Sequence, residues 1–172
     1  MSTVKNSRGF TLIELLVVIT IIGILATGGI AVFTTQIQKA RDTTRVQDQE
    51  AMKSAVEQAY QDSSTGEYPD FSTLTGSVFP KYLQGRSPKD PKSGQTCYGT
   101  GAVKPACEYM FTNGDTNIKN DSYNLSIAFE NGGNHDSKAV NSYDQGKDND
   151  RYEVGTNVSA VWTQTNNSGA IK

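Results

Sequence analysis

The stretch RGFTLIELLVVI (residues 8–19) opens the first apolar run of the chain, and the fold follows from it. From Phe10 to Phe33 nearly every residue is apolar, small or threonine. These 24 residues would form a helix of about 36 Å at roughly 1.5 Å per residue, which is enough to cross a bilayer. One acid, Glu14, interrupts the run. A carboxylate in hydrocarbon is costly unless it finds a partner, so this residue needs an explanation.

The charges before the apolar run predict its orientation. Lys5 and Arg8 precede the run, and the first nine residues contain no acid. Cytoplasmic flanks of membrane spans are enriched in Lys and Arg. We therefore expect the N-terminus in the cytoplasm and the rest of the chain outside.

Two processing routes fit such an N-terminus. In the first, the run is an ordinary secretory signal peptide with an apolar core at residues 15–25 and a cleavage site at Ala26-Thr27-Gly28, so the product starts near Gly29. In the second, cleavage falls between Gly9 and Phe10, and the apolar segment stays on the mature chain as an anchor. The residues around the junction favour the second route.

The sequence GFTLIELLVVI (residues 9–19) resembles the leader junction of type IV pilins and of type II secretion pseudopilins. The shared features are a short basic leader, Gly followed by Phe, and Glu at the fifth position after the cut. The resemblance covers roughly residues 5–35. It implies that a prepilin peptidase cleaves between Gly9 and Phe10 and methylates the new amine of Phe10. It also implies that Thr11 and Glu14 take part in subunit assembly.

This resemblance gives Glu14 a physical role. The amine released at Phe10 is cationic near neutral pH, and N-methylation keeps its charge. A neighbouring subunit's amine would therefore be a partner for the Glu14 carboxylate. Losing one member of a buried pair typically costs about 3–5 kcal/mol, so the pair would fix the register of packed subunits. The alternative is a carboxylate that snorkels to the membrane interface.

The segment after the apolar run predicts a second, amphipathic helical half. Residues 34–62 contain no proline, and their apolar residues form one stripe late in the segment. Residues 36–47 are polar on all sides and are expected to face neighbours or solvent. The sequence SSTG (residues 63–66) predicts the end of the helix. We thus expect a leader at 1–9, a transmembrane and polymerisation helix at 10–35, an amphipathic helix at 36–63 and a head domain at 64–172.

The head domain is predicted to be a small, loop-rich β domain. Strand-like runs lie at residues 109–112, 123–129 and 159–163, and turn signals lie at 113–115 and 130–134. In the middle run, alternate apolar residues would cover the stripe of the helix. The resulting fold class is α+β, a long N-terminal helix packed on a small antiparallel sheet, which is the pilin-like arrangement that the resemblance implies.

Cysteines and acids supply the remaining candidate sites. Cys97 and Cys107 lie ten residues apart in the exported half, which predicts a disulfide. Asp144, Asp148 and Asp150 form a weak calcium candidate, with a solvated loop as the alternative. The only histidine, His135, lies in a Gly/Asn turn and is expected to be exposed. No cofactor other than calcium, and no nucleophile with an evident base, is predicted, so we do not expect an enzyme.

These features predict a filament subunit. The net charge of −2 argues against direct nucleic-acid binding. The expected partners are other copies of the chain, the prepilin peptidase and, indirectly, an assembly ATPase and a platform protein. The precursor would span the cytoplasmic membrane once and then join an extracellular filament. The alternatives are a secretion pseudopilin, a DNA-uptake (competence) pilin, and a secreted binding module or enzyme behind an ordinary signal peptide.

Overall fold

The structure is a computed structural model that describes residues 9–115, 118–139, 150–156 and 168–171. The chain divides into two compact units, Met1–Ile37 and Gln38–Lys172. Helix α1 (Leu12–Asp62) contributes residues to both. The prediction of one long helix that stops before SSTG is confirmed. The predicted domain limits at residues 9, 35 and 63 remain predictions.

Short helical elements follow α1 in the second unit. They are α2 (Phe71–Thr73), a π-helical turn (Leu74–Val78) and α3 (Phe79–Tyr82). Sequence analysis did not predict this segment. Its buried side chains, Leu74, Val78 and Phe79, belong to the same core as α1 and the sheet.

Within the described residues, four strands form one antiparallel sheet in the order β3-β2-β1-β4. The strands are β1 (Tyr109–Asp115), β2 (Ile118–Ala128), β3 (Arg151–Thr156) and β4 (Ser168–Ile171). Between β2 and β3 lie a short helix α4 (Gly132–Asn134) and a π-helical turn (His135–Ala139). The predicted antiparallel β domain is thus confirmed as a class. The predicted strand at 159–163 lies outside the described residues.

The predicted turn at residues 113–115 was wrong. Strand β1 continues through it to Asp115, with a register shift between Asn113 and Asp115. The reason is a tertiary contact. The Asn113 side chain is buried and donates from Nδ2 to the carbonyl of Pro69 at 2.9 Å, which holds this residue in the strand.

The hydrophobic core lies between α1 and the sheet. The predicted stripe supplies Met52, Ala55 and Val56, all of which are buried. The predicted face of β2 meets them and continues just beyond its end. Its members are fully buried: Tyr123, Leu125, Ile127 and Phe129.

Polar side chains on α1 add directional contacts to the sheet. Gln49 Nε2 donates to the carbonyls of Leu125 at 2.9 Å and Tyr152 at 3.1 Å. The Tyr109 hydroxyl donates to Asp48 at 2.7 Å. Because these bonds have defined geometry, they fix the rotation of the helix against the sheet in a way that apolar contact alone does not.

The expectation that residues 36–47 face neighbours or solvent was wrong for Asp42 and Arg45. Both side chains are almost completely buried. Arg45 makes two bonds to Asp90, at 2.7 and 2.8 Å, and one to Asp42 at 2.8 Å. It also lies 2.9 Å from Glu130. The helix is polar here because it is clamped by charges from distant loops.

Glu130 completes this ionic clamp, which comprises Asp42, Arg45, Asp90 and Glu130, with Arg41 and Lys92 at its edge. Glu130 contacts Arg41 at 2.7 Å and Lys92 at 3.3 Å in addition to Arg45. Burial alone would raise the pKa of Glu130, but hydrogen bonds from Arg41 and Arg45 lower it to about 2. The clamp pairs three acids with three bases.

Candidate assembly site

The first turn of α1 is closed by a capping box formed by Thr11 and Glu14. Thr11 precedes the first helical residue, and its backbone N–H donates to Glu14 Oε2 at 2.8 Å. Its hydroxyl donates to the same oxygen at 2.7 Å. In return, the Glu14 N–H donates to Thr11 Oγ1 at 3.3 Å. This is the Thr-x-x-Glu pattern, in which each residue satisfies a helix-end donor of the other.

The capping box provides hydrogen-bond donors for the Glu14 carboxylate within a single chain. Both bonds from Thr11 use Oε2, and within the described residues Oε1 accepts no hydrogen bond. Glu14 is exposed to its surroundings. One carboxylate oxygen is therefore engaged within the chain, and the other is accessible to an outside donor. The TLIE pattern was visible in the sequence as a capping signal, but sequence analysis did not use it.

The predicted cleavage residues lie just before this turn. Gly9 and Phe10 precede α1 in non-helical backbone, and the Phe10 side chain is 80% exposed. Residues 1–8, which form most of the predicted leader, lie outside the described residues.

The apolar segment presents its side chains outward. Its large hydrophobic residues from Phe10 to Phe33 are between 45% and 82% exposed. The helix is long and apolar enough to cross a membrane. Exposed apolar area of this extent is typical of a surface that meets lipid or other protein.

The hydroxyls of this segment are satisfied inside the helix. Thr20 Oγ1 donates to the Val17 carbonyl, and Thr27 Oγ1 donates to the Ile24 carbonyl, each at 2.8 Å. Such bonds to the preceding turn leave no hydroxyl donor unpaired in an apolar environment. Both threonines are therefore compatible with lipid or with close helix packing.

The second unit contains the predicted disulfide between Cys97 and Cys107. Both cysteines are buried, and they pack with Ala128 at the end of β2. The disulfide closes the loop of residues 97–107, and its two cysteines pack this loop against the end of β2.

The expectation that His135 is exposed was wrong. Its side chain is fully buried and lies edge-on to the Tyr98 ring, with centroids 5.1 Å apart. Its ring nitrogens contact Asp136 Oδ1 at 2.8 Å and Asp150 Oδ1 at 3.2 Å. The Gly/Asn composition predicted an exposed turn, but Tyr98 and Asp150 come from distant parts of the chain and cover the ring.

Of the three calcium candidates, only Asp150 lies among the described residues. Its carboxylate accepts hydrogen bonds from Thr100 and Gly101, so its oxygens face N–H and O–H donors rather than an open space. In the part of the chain that the structure describes, no group of three or more His, Cys, Asp or Glu could hold a metal ion. The calcium site remains a prediction.

The first unit therefore has an exposed apolar helix that is capped at its start and carries one acid in its first turn. The chain matches the family model of the prokaryotic N-terminal methylation motif over residues 4–30. It therefore carries the signature of type IV pilins and pseudopilins. Proteins with this motif are generally structural rather than enzymatic. No curated protein and no solved structure matches the chain.

Proposed function

We propose that the chain is a structural subunit of a type IV pilus-like extracellular filament. The precursor inserts in the cytoplasmic membrane, and a prepilin peptidase cuts it between Gly9 and Phe10 and methylates Phe10. Residues 10–35 then leave the membrane and pack against the same segment of other subunits. The observation that carries this proposal is the outward exposure of every large apolar side chain from Phe10 to Phe33. The same surface contacts lipid before assembly and other subunits after it.

We propose that Glu14 pairs with the N-terminal amine of a neighbouring subunit. The capping box supports this, since Thr11 engages Oε2 and Oε1 accepts no bond from the described residues. A cation that approaches Oε1 would join the carboxylate without breaking the cap. The pair would set the register, while the apolar side chains supply the adhesion.

The remaining partners follow from the same proposal. A structural subunit has no catalytic step, so an assembly ATPase and a platform protein supply the energy for extrusion. The mature chain stands in the filament at the cell surface. The subunit itself is proposed to need no cofactor, so fibres that have already formed should stay intact when EDTA removes divalent cations.

Substitution at Glu14 tests the proposal. Glu14→Gln keeps the size of the side chain and removes its charge, and Glu14→Ala removes both. We expect both variants to insert in the membrane at normal levels and to form few or no fibres by electron microscopy. Glu50→Gln is the matched control, because Glu50 is an exposed acid on the same helix outside the apolar segment. Normal fibres from Glu14→Gln would refute the pairing. A wild-type chain that forms no fibre alongside the assembly machinery would refute the filament role itself.

A further inference from the structure

The loop between Cys97 and Cys107 is a closed and braced ring. The disulfide joins its ends. Next to the disulfide, the Cys97 N–H donates to the Pro105 carbonyl at 2.9 Å, and the Cys107 N–H donates to the Gln95 carbonyl at 2.8 Å. A covalent bond and two backbone bonds thus hold the ring in one shape.

Four donors converge on one carboxylate at this ring. The Thr100 N–H and hydroxyl donate to Asp150 Oδ1 at 2.8 and 2.9 Å, and the Gly101 N–H donates to Oδ2 at 3.2 Å. His135 Nε2 approaches Oδ1 at 3.2 Å from the opposite element. Because a carboxylate only accepts, the imidazole donates in this contact. Successive backbone N–H groups of this kind form a concave anion site.

The ring fits the carboxylate closely. A Cβ at Gly99 would lie 2.6 Å from Pro105 Cδ and 2.8 Å from Asp150 Oδ2, so no side chain fits there. A Cβ at Gly101 would lie 3.4 Å from Oδ2, a contact that a small shift relieves. Asp150 itself is only 7% exposed. Burial alone would raise the pKa of Asp150, but the amide and hydroxyl donors of the ring lower it, as expected for a site that favours the anion.

We propose that the ring of residues 97–107 is a carboxylate receptor whose resident ligand is Asp150, and that it binds small carboxylates such as formate and acetate when that side chain is removed. The proposal goes beyond the filament role and does not depend on it. Asp150 directly precedes β3, so the receptor anchors the start of that strand. It also keeps His135 covered, which makes this residue a reporter of the occupied site.

Chemical rescue of Asp150→Ala tests the receptor, with the full chain in detergent micelles. His135 is the only histidine, so its modification by diethyl pyrocarbonate, read at 240 nm, reports one site. We expect His135 in Asp150→Ala to react about tenfold faster than in the wild type, which corresponds to about 1.4 kcal/mol of lost protection. Acetate or formate should restore most of the protection and raise the Tm in a saturable way. Chloride at equal ionic strength should do neither, and the wild type should not respond.

Two controls separate the receptor from general effects. Asp136→Ala removes the other carboxylate that contacts the imidazole, at a side chain that is 66% exposed and outside the ring. It should give no response to acetate. Gly101→Ala in the Asp150→Ala background should retain rescue, because its added methyl group makes only ordinary contacts within the ring.

The receptor is refuted if acetate protects Asp150→Ala no better than chloride does, or if acetate acts equally on Asp136→Ala. Should Asp150→Ala be unfolded without additive, recovery of its circular dichroism spectrum in acetate replaces the protection assay. A chain that stays unfolded in acetate then counts against the proposal.

Discussion

Arg45→Met removes the guanidinium group at the centre of the ionic clamp and keeps an unbranched side chain about as long as the arginine stem. Arg45 is completely buried and makes two bonds to Asp90, one to Asp42 and one to Glu130. After the substitution, Asp42 still accepts backbone bonds from Glu130 and Asn131. Asp90 loses both of its guanidinium bonds and keeps the bond from the Lys92 N–H at 2.7 Å, while its side chain remains inaccessible to water.

The expected cost comes from the charge left behind. Breaking a buried ion pair by removing one partner typically destabilises a protein by about 3–5 kcal/mol. For a chain of this size each kcal/mol lowers the Tm by about 2–4 °C. We therefore expect the Tm to fall by roughly 6–20 °C. Arg41→Met is the matched control. Its side chain is 30% exposed and pairs with Glu130 at the edge of the clamp, so the cost should be about 1 kcal/mol or less.

Urea unfolding of the full chain in detergent, followed by the near-ultraviolet circular dichroism of the buried tyrosines, measures these effects. A double-mutant cycle with Asp90→Leu tests the cause. If the buried Asp90 carboxylate without its cation is responsible, the double variant should be more stable than Arg45→Met alone, with a coupling energy of at least about 1 kcal/mol. Additive effects of the two substitutions would refute this reasoning.

Three further predictions concern the second unit. Folding lowers the pKa of Glu130 from 4.5 to about 2, so its contribution to stability is complete above pH 4.5 and disappears as the pH falls toward 2. Glu130→Gln should therefore flatten the dependence of the urea midpoint on pH in this range. An unchanged pH dependence would contradict the pairing. Gly155→Ala should cost about 1–3 kcal/mol or more, because its Cβ would lie 2.0 Å from the Tyr123 carbonyl oxygen, whereas Gly76→Ala meets open space and should leave the urea midpoint equal or higher. Asp70→Ala removes the bond from the Thr73 N–H that caps α2, which should cost about 1 kcal/mol of stability. Asp70→Asn should retain most of the stability. Equal urea midpoints for Asp70→Ala and the wild type would show that the cap does not stabilise the fold.

Local patterns predicted the features that depend on local chemistry. The apolar run and the absence of proline before residue 63 predicted the long helix. The alternation of apolar and polar residues from Tyr123 to Phe129 predicted the buried face of β2. The spacing of Cys97 and Cys107, in a half of the chain that we expected to be exported, predicted the disulfide.

Features that depend on residues far apart in the chain could not be predicted from the sequence. Arg45 appeared as an exposed charge because nothing nearby shows that Asp90 and Glu130 reach the helix. His135 appeared exposed for the same reason, since Tyr98 and Asp150 cover it only in the folded chain. The segment from Phe71 to Tyr82 contains a glycine and a proline that argue against a helix, and burial of its apolar residues in the shared core overrides that local preference.

The candidate assembly site was also only partly predictable from the sequence. Glu14 and the Gly9-Phe10 junction were evident as a motif. The Thr-x-x-Glu pattern signals the cap, but it does not specify that Thr11 engages Oε2 and leaves Oε1 accessible.

The mass of the processed N-terminus tests the central claim most directly. The chain would be expressed in a bacterium with a prepilin peptidase, extracted from its membrane and analysed by intact and N-terminal peptide mass spectrometry. The account predicts a mature chain that begins with N-methylated Phe10 and retains the whole apolar helix. A chain that begins near Gly29 and is released as a soluble product would contradict it.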